Sequence, residues 1–447
     1  MHHPARRSAL AALVAATGLG VLAALAACGA HSGTGARAAD IALSLTSAGR
    51  LRLQVTTVDA KGAPLSTTLR LSVGPAEAPG GTVILTDRSL AVHRLTMPAL
   101  APGRAYLYDL TVTAHGLSRT YPSQGRYRFT APASPTQPLT ILYWGDSRPD
   151  SLLPGAPEPR AFTRLVSSAL ARSSRPTLAL AGGDLINAPL DTSPPSLDQK
   201  YAVFAAAENR LARLMPVMAA PGNHENPTAP QRSAAWRRWF TFPTSADPHG
   251  LYYSFNDGDA HIVVLDSASA GGSIGYYGPN DPRDSAQAKW LVTDLRKSAA
   301  RWTIVMLHHP LFDGKPTDPW STTARSERVA LAKLFASSGV DLVLQGHIHN
   351  YRRHEEPVSK GSATYQLAYI TEGGGGAPLY STTTAPLDGH DIKAYSAYGY
   401  LILHSDGAGK LTAAAYKVDP STGATSIGDR FAVDQVPRGT ADQGAAK

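Results

Sequence analysis

Five short stretches of this 447-residue chain carry side chains able to hold cations: Gly145-Asp146-Ser147-Arg148, Gly183-Asp184-Leu185-Ile186-Asn187, Gly222-Asn223-His224-Glu225, His308-His309-Pro310 and Gly346-His347-Ile348-His349. Carboxylate, amide and imidazole donors in that mixture suit hard to borderline ions such as Mg, Mn, Zn or iron. Thiolate sites are excluded, because Cys28 is the sole cysteine. One histidine, or one aspartate after a glycine, is ordinarily structural. The set of five points to a metal centre, whose ions could activate a bound water.

Such side chains need a common edge to meet on. Apolar runs read as strands precede them at Leu139–Trp144, Thr177–Ala181, Pro216–Ala220, Thr303–Leu307 and Asp341–Leu344, with a further strand at His261–Leu265. Helical patterns fall at Arg160–Ala171, Asp198–Leu214, Ser285–Lys297 and Ala324–Ser337. Residues 138–435 therefore read as a layered α/β domain, in which ligands collect beyond the carboxyl ends of the strands. The glycine heading most of the stretches is expected to turn the backbone and aim the next side chain at that crevice. The long loops Pro149–Arg160, Asn187–Asp198 and Ser267–Asp284 would shape the pocket.

Upstream, residues 41–133 alternate in period two, as in Leu51–Val55, Thr68–Ser72 and Ala105–Leu110, with Gly and Pro between the runs. That is the pattern of an all-β sandwich, and no chemistry-bearing cluster falls in it. Leu100–Tyr108 resembles the L-x-P-x-x-x-Y-x-Y turn and strand of fibronectin type III domains. Pro132–Pro138 is a Pro-rich hinge, and residues 436–447 read as a flexible tail.

In their order, GD, GD, GNHE, H and GHxH resemble the motifs of the calcineurin-like metallophosphoesterases. More narrowly the chain looks like the purple acid phosphatase branch, through Gly346–Arg352, Leu251–Phe255 with the strand ending in Asp266-Ser267, Gln287–Leu291, Tyr369–Gly376 and the fibronectin-like front domain. The resemblance implies a fibronectin III-like sandwich followed by a catalytic domain with a β-sandwich core flanked by helices. It implies two divalent or trivalent metal ions (Fe, Mn, Zn or Mg). Asp146 and His349 would bind the first, Asp184 would bridge, and Asn223, His308 and His347 would bind the second. His224 would contact the phosphate, protonate the leaving oxygen or orient a ligand. The implied activity is hydrolysis of phosphomonoesters by a metal-bridging hydroxide, without a covalent enzyme intermediate. A phosphodiesterase or pyrophosphatase on the same site is the near alternative, and a surface binding protein with a degenerate metal site the distant one.

Two positions depart from the pattern. Asn187 stands where the purple enzymes place a tyrosinate on ferric iron, so their charge-transfer band is not expected; its carbonyl or a water would complete the first metal. Arg148 stands where other metallophosphoesterases supply a histidine; its planar fork suits either a substrate phosphate or a nearby carboxylate. Beyond His308, Lys315 and His309 are the only basic candidates near the substrate.

The composition sets the remaining bounds. With 43% apolar and 17% charged residues, 40 glycines and 34 prolines, the chain can bury a large and a smaller core joined by many turns. A net charge of +8 is spread without a basic stripe interleaved with aromatics, so no nucleic acid partner is expected. Residues 1–27 hold Arg6-Arg7 and an apolar run to Ala27, the pattern of an export signal, with the paired arginines pointing to the twin-arginine route. Leu25–Gly29 resembles a bacterial lipobox, which would place a lipid on Cys28, residues 28–40 as a linker, and the protein on the extracytoplasmic side of the cell envelope. Cleavage at another small residue, or an uncleaved anchor, would leave Cys28 without that role. Oligomeric state is not legible.

Overall fold

The structure is a computed structural model that describes residues 35–78, 82–149, 160–188, 193–269, 273–312, 325–382 and 390–438. The expected export signal, Cys28, Lys315 and much of the long loops lie outside them. Among the described residues, no helix is long and apolar enough to cross a membrane.

The front of the chain forms two antiparallel sheets. One joins β1 (Arg37–Leu45), β2 (Leu51–Val58) and β5 (Val92–Thr96). The other orders β4 (Val83–Leu90), β3 (Thr67–Pro75), β6 (Ala105–Ala114) and β7 (Leu117–Tyr121), with β8 (Tyr127–Thr130) also on β6. Along β6 every second side chain is buried, from Tyr106 to Ala114, as a half-buried strand requires. The expected turn closes on itself: Tyr106 Oη accepts the N–H of Ala101 at 2.9 Å, a tyrosine corner. Tyr108 Oη donates to the carbonyl of Arg213 at 2.9 Å, fastening the sandwich to the second domain.

The expected linker is shorter at its far end than the sequence pattern indicates. Arg37 to Asp40 already belong to β1, with Arg37 opposite Val58 and Asp40 opposite Thr56, and Asp40 is buried. A small polar composition does not prevent pairing when a neighbouring strand offers unfilled backbone partners. The expected tail likewise starts later: Val436 is buried and its N–H donates to Asp341 Oδ1 at 2.7 Å.

The second domain packs two mixed sheets face to face. The first orders β11 (Val217–Ala219), β10 (Leu178–Ala181), β9 (Leu139–Trp144), β19 (Gly399–Ser405), β20 (Leu411–Val418) and β21 (Thr425–Val433). The second orders β12 (Tyr253–Asp257), β13 (Ala260–Val264), β14 (Trp302–Leu307), β15 (Leu342–Gln345), β17 (Ala363–Glu372), β16 (Tyr351–Lys360) and β18 (Asp391–Tyr395). β9, β10 and β11 run parallel, as do β13, β14, β15 and β17. Strands covered on both faces lose the polar alternation, which is why β9 and β14 are apolar and buried throughout.

Period two nevertheless sorts the second sheet's residues. Ile262, Ile304, Met306 and Leu344 point into the core shared with the first sheet and the front sandwich. Val263, Val305, Leu307 and Val343 point outward, under α4 (Ala286–Lys297) and α5 (Arg325–Ser338). On the opposite flank lie α1 (Arg160–Leu170), α2 (Pro194–Ala212) and α3 (Pro230–Trp239), with Phe162, Leu165 and Val166 of α1 buried on its core side. Each fully buried Leu, Ile or Phe contributes about 1.5–3 kcal/mol. The expected α/β layering, a β-sandwich core with helices outside, is what the chain adopts.

Candidate metal centre

Five strands, β9, β10, β11, β14 and β15, end on one rim and deliver the five stretches to it. Asp146, Asp184 and His347 leave their strands in the left-handed region, at φ of 58°, 52° and 68°. The turn expected of the glycines is therefore made largely by the ligand residues themselves, a strain found at functional positions and held there by surrounding bonds. Glycine is needed instead for close approach. A Cβ on Gly222 would lie 2.3 Å from the backbone N of Asp184, and one on Gly346 would lie 2.8 Å from Asp146 Oδ2.

All six expected ligands converge. Asn223 Oδ1 lies 2.9 Å from His308 Nε2 and 2.9 Å from His347 Nδ1. His308 Nδ1 donates to the carbonyl of Gly182 at 2.8 Å, which leaves Nε2 with a lone pair aimed inward. His349 repeats the device: Nδ1 faces the Pro378 carbonyl at 2.7 Å, and Nε2 lies 3.4 Å from Asp146 Oδ1. Asp184 stands between the two groups, with Oδ1 3.4 Å from His308 Nε2. Asp146 Oδ1 is buried without a hydrogen-bond partner. Acceptor atoms facing one another, and a buried oxygen with nothing to accept, are the chemistry of a site built for cations, and the donor set fits them.

The surroundings bias charge the same way. Burial alone would raise the Asp184 carboxyl, but His308, His224 and Arg148 outweigh it and hold the group below the usual carboxylate range. Asp184 Oδ1 also accepts the N–H of His224 at 2.9 Å. The His224 ring stands with Nε2 3.7 Å from Asp184 Oδ2, partly open to solvent, and burial pushes its pKa down.

Arg148 is buried, with Nη2 donating to Asn187 Oδ1 at 3.0 Å and Nη1 3.7 Å from Asp184 Oδ2. The Asn187 carbonyl thus accepts from a guanidinium. His309, a candidate for reaching substrate, is buried beside the centre, with Nδ1 3.0 Å from Ser267 Oγ and its pKa driven well down by burial, His347 and His308.

Glu225 closes the Gly222–Glu225 stretch, and the sequence assigns it no ligand role. It is buried and accepts four backbone N–H groups, those of Gly222, Asp184, Leu185 and Ile186, at 2.7, 2.8, 2.9 and 3.2 Å. Its position two residues after Asn223 is the available signal. Tyr380, whose ring stacks on His349 at 4.1 Å, lies in a loop that carries no such signal.

Two packed mixed sheets with Asp, Asn and His gathered at the strand ends are the frame into which the family likeness falls. Residues 155–351 match the family model of the calcineurin-like phosphoesterases, and the chain carries that domain. Acid phosphatase type 7 of Homo sapiens is 30% identical over 302 residues, 62% of this chain and 61% of its own length. Purple acid phosphatase 21 of Arabidopsis thaliana is 31% identical over 213 residues, 44% of this chain and 43% of its own. The chain thus spans about three fifths or less of these curated relatives. Among solved structures, a purple acid phosphatase from yellow lupin (Lupinus luteus) seeds superposes with a TM-score of 0.67 at 18% identity, covering 88% of this chain and 73% of that one. The structure of PhoD gives 0.68 at 15% identity, covering 91% and 93%. These two likenesses concern the fold alone.

Proposed function

We propose that this protein is a binuclear metal-dependent phosphohydrolase, an acid phosphatase-like enzyme acting on phosphomonoesters. The observation that carries the reading is the meeting of Asp146, Asp184, Asn223, His308, His347 and His349 on one rim, with the His308 Nε2 lone pair facing Asn223 Oδ1 and Asp146 Oδ1 buried without a hydrogen-bond partner. Asp146 and His349 would hold one ion, Asn223, His308 and His347 the other, and Asp184 would serve both, with Asn187 beside the first. Bound there, two ions supply Lewis acidity and a water acidic enough to act as nucleophile near neutral pH. The chain's own contribution is placement. The Gly182 and Pro378 carbonyls fix the tautomers of His308 and His349. His224, partly open to solvent beside Asp184, is the side chain placed to donate a proton to a leaving oxygen.

The same reading places the enzyme outside the cytoplasmic membrane, tethered through Cys28; its support is the sequence of residues 1–29. Elemental analysis combined with hydrolysis of an aryl phosphate and a panel of diesters and pyrophosphate tests the proposal. Two ions per active chain and preference for monoesters are expected. An Asp184→Ala variant with full turnover would remove the mechanism, and faster cleavage of diesters would reassign the substrate.

A further inference from the structure

A second cluster of ligating side chains stands apart from the centre, on the edge of the second sheet. His354 Nε2 lies 2.7 Å from Glu356 Oε1, and His390 Nδ1 lies 3.2 Å from the same oxygen. One oxygen collecting two imidazole nitrogens is the arrangement that Asn223 shows with His308 and His347. His354 and Glu356 are two apart on β16 and so share a face, while His390 directly precedes β18. The register between these strands shifts between Arg353 and His354, and bulges of this kind re-aim side chains.

The neighbours of His354 fix its ring. Nδ1 faces Asp391 Oδ1 at 3.2 Å, and the other oxygen of Asp391 pairs with Arg352. Phe312 stacks on the imidazole at 4.1 Å and 14°. Each nitrogen of His354 thus faces a carboxylate oxygen, and in the tautomer whose Nδ1 proton is directed to Asp391 the Nε2 lone pair and Glu356 Oε1 stand as two donors to a cation. A carboxylate on the far nitrogen of an imidazole is also the usual support of a metal-binding histidine.

We propose that His354, Glu356 and His390 bind a divalent cation of the zinc class, tying β18 to β16. Two imidazoles and one carboxylate are a borderline donor set, and zinc held by three protein groups keeps a position for water. The side chains of Glu356 and His390 are 28% and 41% exposed, which gives the ion an entry path, whereas His354 at 1% supplies the buried anchor. None of the three belongs to the catalytic centre.

The test uses the full chain stripped with chelator and re-equilibrated against buffered zinc. Zinc per chain is measured for the wild type, His390→Ala and Glu356→Gln, both at partly exposed positions. Each variant is expected to hold one zinc ion fewer than the wild type, with aryl phosphate hydrolysis unchanged. Wild-type zinc content in either variant would overturn the proposal and leave a protonated His354 between its two carboxylates. Zinc content is read whether or not the protein cleaves phosphate esters, so this outcome is separable from that of the proposed function.

Discussion

Glu225 Oε2 accepts the backbone N–H of Asp184 at 2.8 Å and, with the same oxygen, that of Gly222 at 2.7 Å. Two loops that leave different strands, each carrying a ligand, are thereby hung from one carboxylate. Glu225→Gln keeps the volume but replaces an acceptor oxygen with an NH2 donor, so at least one loop loses its bonds. Metal affinity and turnover are expected to fall by about 10–100-fold, as for other groups that orient ligands, with the circular dichroism of the fold retained. Metal affinity equal to the wild type would mean that the loops hold themselves.

Gly222→Ala probes the same junction from the backbone side. The new Cβ would lie 2.3 Å from both the N and Oδ1 of Asp184, and a backbone atom cannot swing aside as a side-chain tip can. Loss of tight metal binding is expected, read by calorimetric titration. Retained affinity would show that this loop shifts freely.

Much of this arrangement is legible in the sequence, for identifiable reasons. β9, β10, β11, β14 and β15 are buried on both faces, so each stands out as an apolar run, and a ligand follows within four residues of its end. β16, with exposed or half-buried residues such as Arg353, Glu355 and Glu356, carries no such contrast, and neither does α3, which holds three arginines in ten residues. The role of Glu225 depends on where the loop from β10 turns back, and the partnership of Tyr380 with His349 spans 31 positions; neither follows from spacing.

Arg148 distinguishes two uses of a guanidinium. Its Nη atoms already face Asp184 and Asn187, so Arg148→Gln removes a cation 3.7 Å from Asp184 and releases the Asn187 carbonyl. Divalent ions are expected to bind at least as tightly to the variant, while inhibition by inorganic phosphate stays near the wild-type level. A large loss of phosphate inhibition would assign Arg148 to the substrate instead.

Colour gives an independent reading of the first metal position. The resemblance puts Asn187 where the purple enzymes have tyrosinate, so no phenolate is expected at a ferric ion from that position. The iron-loaded protein is expected to lack the visible charge-transfer band, and Asn187→Tyr to gain one. A purple wild type would require another tyrosine at the metal.

Burial of carboxyls far from the centre makes the fold itself sensitive to pH. Desolvation raises Asp40 from 3.8 to about 7 against the pull of Arg213, and raises Asp257 to about 7 against hydrogen bonds from Ala133 and Gly258. A native pKa above the unfolded one means that the folded chain binds the proton more tightly. Below about pH 4 both states are protonated and these groups contribute no difference. Between about pH 4 and 7 the unfolded chain ionises first, so stability falls as pH rises, and above that the penalty is constant. For a fully buried group such as Asp40 it is about 4 kcal/mol at most. Asp40→Asn cannot ionise, so its stability in urea is expected to match the wild type near pH 4 and to exceed it at pH 8. Equal pH dependence in both proteins would show that Asp40 is solvated after all, and the difference between the two cancels every other titrating group.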